Sequence, residues 1–335
     1  MVRHDDLRTT ADALADSVVV CGVGRYDALL SDASFSRARY SPLASLPEHL
    51  SDATAAVVVG VDATAYGDVR TVRDALEALG DDPTSNAFTV AVLACDAIDA
   101  ETLAAVRRHV DALLLVGGPD ADGRAGGDTS DGGTEGEPAD PVEQGIRELL
   151  AAVQRPGFVN LDLTDARTVL SAGVAALGSG TAGRDAPATA VEAAFDRLPR
   201  GVDVDDATAV LVDVVVDPVT SITAATDAIG AVRDRIDGDA NVIWGGAVDE
   251  SIGESVDDGG TVDGEAAAGE AADGESPAGE IAVRVVVADV RYAPPLDAGD
   301  PCPRCATPLS TYEFGARTTL SCDGCGFSGI AVRRD

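Results

Sequence analysis

Four short runs of β-branched and small apolar residues, spaced by helix-like stretches, decide what this chain can fold into. Ser17–Gly22 (SVVVCG), Ala55–Gly60 (AAVVVG), Ala87–Ala94 (AFTVAVLA) and Val110–Val116 (VDALLLV) carry almost no polar residue on either face. A strand apolar on both faces is buried on both, which is the situation of a parallel sheet covered by helices. Val69–Leu79 and Ala100–His109 have helical periodicity and stand between the runs, so strand–helix alternation predicts an α/β arrangement. A further helix is expected over Pro141–Val153, with proline at its start and Ile146, Leu149, Leu150 and Val153 as its apolar stripe. The second half reads as α+β: helix Ala188–Leu198, strand Ala209–Val216, helix Thr223–Ile236, strand Asn241–Val248 and a β-rich run Ile281–Tyr292.

Two stretches break the rhythm. Gly117–Asp140 and roughly Asp249–Glu280 consist largely of Gly, Asp, Glu, Thr and Ala without apolar period, a composition expected to stay disordered. The second lies between two β-rich runs and reads as the enlarged loop of a hairpin, since long surface insertions cost little. Both are most simply solvating loops. Across the chain, 58 acidic residues face 24 basic ones for a net charge of −34, and every basic residue is arginine. Lysine-dependent chemistry, from the GxxxxGK phosphate loop to Schiff bases, is thereby excluded. So acidic a surface repels phosphate backbones and argues against nucleic acid as partner. The balance suits molar salt, where the Debye length falls to about 3 Å. No apolar run approaches a membrane span and the first residues are polar, so a cytoplasmic protein without a membrane partner is expected.

The sharpest chemical signal is at the C-terminus. Cys302-Pro-Arg-Cys305 and Cys322-Asp-Gly-Cys325 are separated by sixteen residues, the spacing at which two CxxC turns aim four thiolates at one zinc ion. Four protein ligands close the site, so a structural zinc ribbon is expected over residues 300–331. Cys21 and Cys95 sit inside apolar runs and read as small core residues. His4, His49 and His109 are scattered at surface or helix-end positions, Trp244 lies in a strand as a core residue, and no Ser-His-Asp or Cys-His constellation is present.

Arg155–Ser171, RPGFVNLDLTDARTVLS, resembles the synergy loop and following helix of FtsZ, the tubulin-like cell-division GTPase, written there RPGxxNxDFADVRTVM. Further matches follow. Gly178–Gly183 (GSGTAG) resembles the small-residue turn after that helix and Ala190–Phe195 the next helix. Val202–Val216 is similar to the DISGARGVLVNVTG strand, Asp239–Val248 (DANVIWGGAV) to DANIIWG, Glu280–Val290 to EIRVTVIATGF, and Phe88–Val116 to a strand–helix–strand upstream. The resemblance covers about Ser17 to Arg291 once the acidic inserts are set aside. It implies a divergent, haloarchaeal member of the FtsZ/tubulin-like superfamily. The architecture implied is a truncated parallel-sheet nucleotide-type domain at 17–153 (insert 117–140), an α+β C-terminal domain at 154–292 (insert 249–280), and the appended ribbon.

The departures bear on function. The family holds phosphates with a triple-glycine run after a strand; here the matching place reads VDATAYGDVR, and Asp62 and Asp68 put carboxylates where phosphates would lie. Two anions a few ångströms apart repel by several kcal/mol in a partly buried site, roughly. The earlier phosphate-contacting turn survives only as Gly22-Val23-Gly24, followed by Arg25 and Tyr26. GTP binding is therefore not expected. Asn160, Asp162 and Asp165 do stand where the resemblance puts the residues that reach a neighbouring subunit's nucleotide and position its attacking water. Helix capping is the plain alternative, and at this level it accounts for one acid of a helix starting near Ala166. The reading that follows is a pseudo-GTPase that regulates or caps filaments of FtsZ-family subunits, or of its own kind, acting in trans on a partner's nucleotide. Two others stay open: an active GTP hydrolase with a remodelled pocket that forms its own filaments, and an adaptor built around the zinc ribbon.

Overall fold

In the computed structural model, residues 17–35, 37–51, 53–61, 70–71, 74, 87–94, 100–117, 139–236, 238–249, 252, 280–292, 299, 302, 307–314, 317–325 and 328–330 are described. His4, Asp62, Asp68, Cys95, Cys305 and nearly all of both acidic inserts lie outside them.

The apolar runs become strands where the sequence places them: β1 (Val18–Gly22), β3 (Ala56–Val61), β4 (Phe88–Ala94) and β5 (Ala112–Val116). A two-residue β2 (Arg39–Tyr40) joins them after helix α1 (Arg25–Asp32), and a short α2 (Leu46–His49) leads into β3. Helix α3 (Ala100–Arg107) connects β4 to β5. Helix α4 (Pro141–Gln154) starts at its proline, with the Asp140 carboxylate accepting the Val142 N–H at 2.9 Å. Then come α5 (Leu163–Leu170), β6 (Val174–Gly183), α6 (Pro187–Asp196), β7 (Val202–Asp203), β8 (Ala209–Val216), α7 (Ile222–Arg235), β9 (Asn241–Val248), β10 (Glu280–Ala288) and β11 (Arg291–Tyr292). A separate three-stranded sheet of β12 (Ser310–Phe314), β13 (Arg317–Ser321) and β14 (Ser328–Ile330) ends the chain.

The large sheet has the order β2-β1-β3-β4-β5-β6-β10-β8-β9. Its first half is parallel throughout, and β5 pairs in parallel with β6, so the strands of the two expected domains run on in one sheet. β10 lies antiparallel between β6 and β8, and β9 is the parallel edge strand beyond β8. Side chains alternate between two cores. One face packs against α1, α4 and α5, burying the stripe Ile146, Leu149, Leu150 and Val153; the other packs against α3, α6 and α7. Cys21 is fully buried in the second core, with its thiol donating to the Val58 carbonyl at 3.7 Å, and burial pushes that thiol far above its ordinary range. Trp244 is partly buried against the same core. His49 ends α2 and His109 follows α3.

Two expectations are corrected. The runs flanking the second insert do not form a hairpin, because β8 lies between β9 and β10. The β8–α7–β9 unit is a crossover, and a crossover needs β9 parallel and alongside β8. Gly178–Gly183 is not a turn but the second half of β6. Its glycines bring a helix close: a Cβ on Gly178 would lie 2.1 Å from the Ala194 carbonyl oxygen, and one on Gly180 2.3 Å from that of Ala190. Small residues that read as a turn are here the seat of α6.

Candidate functional site

Between α4 and α5 the chain crosses to the sheet's far edge and fastens there. Val159 pairs with Gly246 of β9 through two backbone hydrogen bonds, Val159 N–H to the Gly246 carbonyl at 3.2 Å and Gly246 N–H to the Val159 carbonyl at 2.9 Å. The edge strand admits this because positions 245 and 246 lack side chains. A Cβ on Gly245 would come within 2.5 Å of Leu161 Cγ, and one on Gly246 within 2.3 Å of Phe158 Cζ. Phe158 and Leu161 thus occupy the two places that side chains of β9 would fill. Gly157 approaches equally closely, and the Asn160 Oδ1 accepts its N–H at 2.8 Å, closing the turn.

α5 begins at Leu163, three residues before the sequence suggested, and both acids serve its start. Asp162 is the N-cap: its Oδ1 accepts the N–H groups of Thr164 at 2.7 Å and Asp165 at 2.9 Å. Asp165 closes a capping box, its Oδ2 accepting the Asp162 N–H at 3.0 Å. Capping therefore accounts for both carboxylates rather than one. Each cap uses a single oxygen. Asp162 Oδ2 and Asp165 Oδ1 have no hydrogen-bond partner among the described residues, and Asn160 and Asp162 are exposed.

Behind the loop lies a cluster of four charges not foreseen from the sequence. Asp213 of β8, 3% exposed, receives a hydrogen bond from Arg284 of β10 at 2.8 Å, directly across the two strands. Arg155, at the end of α4, lies 3.3 Å from the Asp249 carboxylate after β9. That contact is an ion pair without an aligned hydrogen bond, since the buried Arg155 Nη1 finds no acceptor in line. Burial first and the neighbouring Arg284 second lower the Arg155 pKa, while Asp213 and Asp249 oppose them. Burial pushes the Asp213 carboxyl up, against the pull of Arg284 and Arg155. A signal was present: Asp213 and Arg284 are the lone charged residues inside AVLVDVVV and IAVRVVVA.

At the carboxyl ends of the parallel strands, where open α/β sheets bind ligands, the chain folds onto itself. A Cβ on Gly22 would lie 2.2 Å from the Tyr26 carbonyl oxygen, so the turn is packed against the first turn of α1. Gly24 takes φ 63° at the N-cap, and Tyr26 is buried. Arg25 stacks over the Tyr26 ring at 4.5 Å and pairs with Asp140, the cap of α4, at 3.1 Å. Gly22 and Gly24 are thus in the turn as expected, and Arg25 ties its two flanking helices together.

In the C-terminal module, Cys302, Cys322 and Cys325 converge, their Sγ atoms all within 4.8 Å of one another and those of Cys302 and Cys325 3.6 Å apart. Tetrahedral zinc with about 2.3 Å Zn–S bonds sets sulfurs roughly 3.8 Å apart. Two of the three thiols are buried, so the donor set fits a zinc ion; Cys305 lies outside the described residues.

The family model for the FtsZ C-terminal domain matches residues 173–258. The cell division protein FtsZ 1 of Halobacterium salinarum is 42% identical over 115 residues, covering 34% of this chain and 28% of that protein. FtsZ of Caulobacter vibrioides is 30% identical over 150 residues, 44% of this chain and 30% of that one. An empty FtsZ dimer from M. jannaschii superposes with a TM-score of 0.52 at 17% identity, over 90% of this chain and 100% of that one. The fold is FtsZ/tubulin-like. TubZ from Bacillus thuringiensis serovar israelensis, in GDP-form protofilaments, shares the fold with a TM-score of 0.55 at 8% identity, over 87% of this chain and 92% of that one. The FtsZ-like chain spans less than a third of the length of these curated relatives. The sequence match includes β6 to β9, and for Halobacterium it is confined to about a third of the chain. Among the described residues, no helix is long and apolar enough to cross a membrane.

Proposed function

We propose that this FtsZ-like chain is a pseudo-GTPase that regulates or caps filaments of FtsZ-family subunits, offering Asn160, Asp162 and Asp165 to a nucleotide held by a partner. The observation that carries the reading is the division of labour within the two carboxylates. One oxygen of each fixes the start of α5, and the other has no partner among the described residues, at the junction of α5 with a loop clipped to β9. A rigidly held acceptor is what positioning an attacking water requires. The packed Gly22–Tyr26 turn and the Arg25–Asp140 tie support the absence of a working site on the chain itself.

The test must spare the caps, so alanine is the wrong replacement. Asparagine caps as well as aspartate, and Asp162→Asn and Asp165→Asn remove the spare carboxylate oxygens while keeping α5. Added to an FtsZ GTPase in molar KCl, the wild-type chain should change phosphate release or filament length, and the double variant should not. Equal effects from both would overturn the mechanism. Magnesium-dependent GTP binding to the isolated chain would instead support a hydrolase with a remodelled pocket.

The converging thiols support a second reading, for the C-terminal module. We infer that Cys302, Cys305, Cys322 and Cys325 hold one structural zinc ion, which supplies folding free energy to a small β-sheet with little core of its own. Loss of partner binding in Cys302→Ser, with the body still folded, would make the ribbon an adaptor.

A further inference from the structure

Beneath α5 the molecule keeps a cavity of about 130 Å³ between the amino ends of β1, β3 and β4 and the helices α4 and α5. Its floor is wholly apolar and buried, built from Val18, Val58, Val90, Leu149, Leu150 and Val153. Alanines at 56 and 166, both buried, leave the space open. A recess of this size leaves its apolar lining short of dispersion contacts and in reach of water, so an apolar occupant would be favoured there. An apolar cavity of about 150 Å³ admits a benzene ring.

The mouth differs in chemistry from the floor. Its exposed lining residues are Ala55, Thr164 and Arg167. The Arg167 guanidinium lies 5.3 Å from the centroid of Phe88, another lining residue, and has no carboxylate partner among the described residues. Thr164 stands three residues earlier in the same helix, where side chains i and i+3 share a face. In a chain of net charge −34, a guanidinium with no carboxylate partner among the described residues, on the same helix face as a hydroxyl at the rim of an apolar cavity, is a selective feature. It would accept a carboxylate while the cavity takes the hydrocarbon body.

We infer that this cavity binds a small apolar monocarboxylate, with a body the size of one aromatic ring or a short branched chain, its acid group on Arg167 and Thr164. This rests on the reading above in one respect. Leu163, Thr164, Ala166 and Arg167 belong to the helix that Asp162 and Asp165 cap, so an occupant biases the position of the presented acids. Binding and partner engagement would then be coupled reciprocally.

The probe is benzoate, with benzene as its neutral counterpart, added to the full chain in molar KCl. Binding is followed by methyl NMR shifts of the floor valines and leucines, which requires no partner. Benzoate should saturate a single site. Arg167→Gln, on an exposed side chain, should weaken benzoate at least tenfold and leave benzene unchanged, and Thr164→Val should weaken benzoate less. Ala166→Leu should abolish both ligands. No saturable benzoate shift in the wild type, or equal affinity in wild type and Arg167→Gln, overturns the inference. Benzoate binding without any change in a partner's phosphate release would retain the site and reject its coupling to the loop.

Discussion

Gly157→Ala tests how the presented loop is held. The added Cβ would lie 2.1 Å from the Gly246 carbonyl oxygen and 2.9 Å from its carbon, and neither backbone atom can rotate away as a side chain could. Overpacking of this kind costs about 1–3 kcal/mol if the loop stays in place. Peeling the loop from β9 relieves it, at the loss of the two hydrogen bonds between Val159 and Gly246, about 1 kcal/mol each. The penalty therefore settles near 2 kcal/mol, whichever route is taken, and a loss of that size opens the pairing roughly 30-fold more often. Native-state hydrogen exchange reads it directly, because Val159 and Gly246 each donate one of the two bonds. Both amides should exchange about 30-fold faster while Leu114, buried on β5 in the middle of the sheet, holds its protection. Gly246→Ala provides the contrast: its Cβ meets the tip of the Phe158 ring, which is 39% exposed and can swing outward. That variant should unprotect the amides less. Unchanged exchange at Gly246 in Gly157→Ala would refute the clip.

Three more outcomes follow from the geometry. Arg284→Ala leaves Asp213 buried without its partner and should destabilise the chain by about 3–5 kcal/mol in denaturant titrations, whereas Asp213→Leu with Arg284→Met should recover most of that loss. Burial alone would raise the Asp217 pKa, but the Thr220 side chain and the N–H groups of Glu280, Val219 and Thr220 hold it below the ordinary value; of these the backbone donors dominate, since the Thr220 hydroxyl makes no aligned bond. Because the folded pKa is depressed, the stabilisation is present above the unfolded value of about 3.9 and lost as pH falls through the folded one. Asp217→Asn should cost about 1–3 kcal/mol at pH 7, with the gap to wild type narrowing below about pH 4. Removing metal with a strong chelator, or Cys302→Ser, should melt the β12–β14 module in thermal scans and leave the main unfolding transition within a degree or two.

Much of the fold was legible because burial on both faces leaves an unmistakable mark. AAVVVG, ALLLV and AVLVDVVV are strands for the same reason, and the stripe of α4 falls on the buried face that its period predicts. Pairing was less legible. Strand order depends on where a crossover deposits the next strand, and nothing local in NVIWGGAV says that β9 lies beyond β8 rather than beside β10. GSGTAG misled because glycine signals either a turn or a close approach, and only the partner helix distinguishes them. In the candidate site the positions of Asn160, Asp162 and Asp165 were legible from the resemblance. Their hydrogen bonds were not, because a capping box and a presented acid have the same letters. Arg155 and Asp249 meet only through the path of the loop.

The place where the C-terminal module leaves the body has a mechanical consequence. The chain reaches it from β11, a two-residue strand paired with β7, which follows directly on β10, an inner strand bonded along its length to β6 on one side and β8 on the other. A pull on that tether first strains the short β11–β7 pair and then loads β10 along the strand direction, where many hydrogen bonds on both flanks resist together in shear. Had the tail left from β9, the same pull would unzip an edge one bond at a time. Whatever grips the thiol-bearing end can therefore drag the acid-bearing body as one piece, transmitting tension without spending the fold.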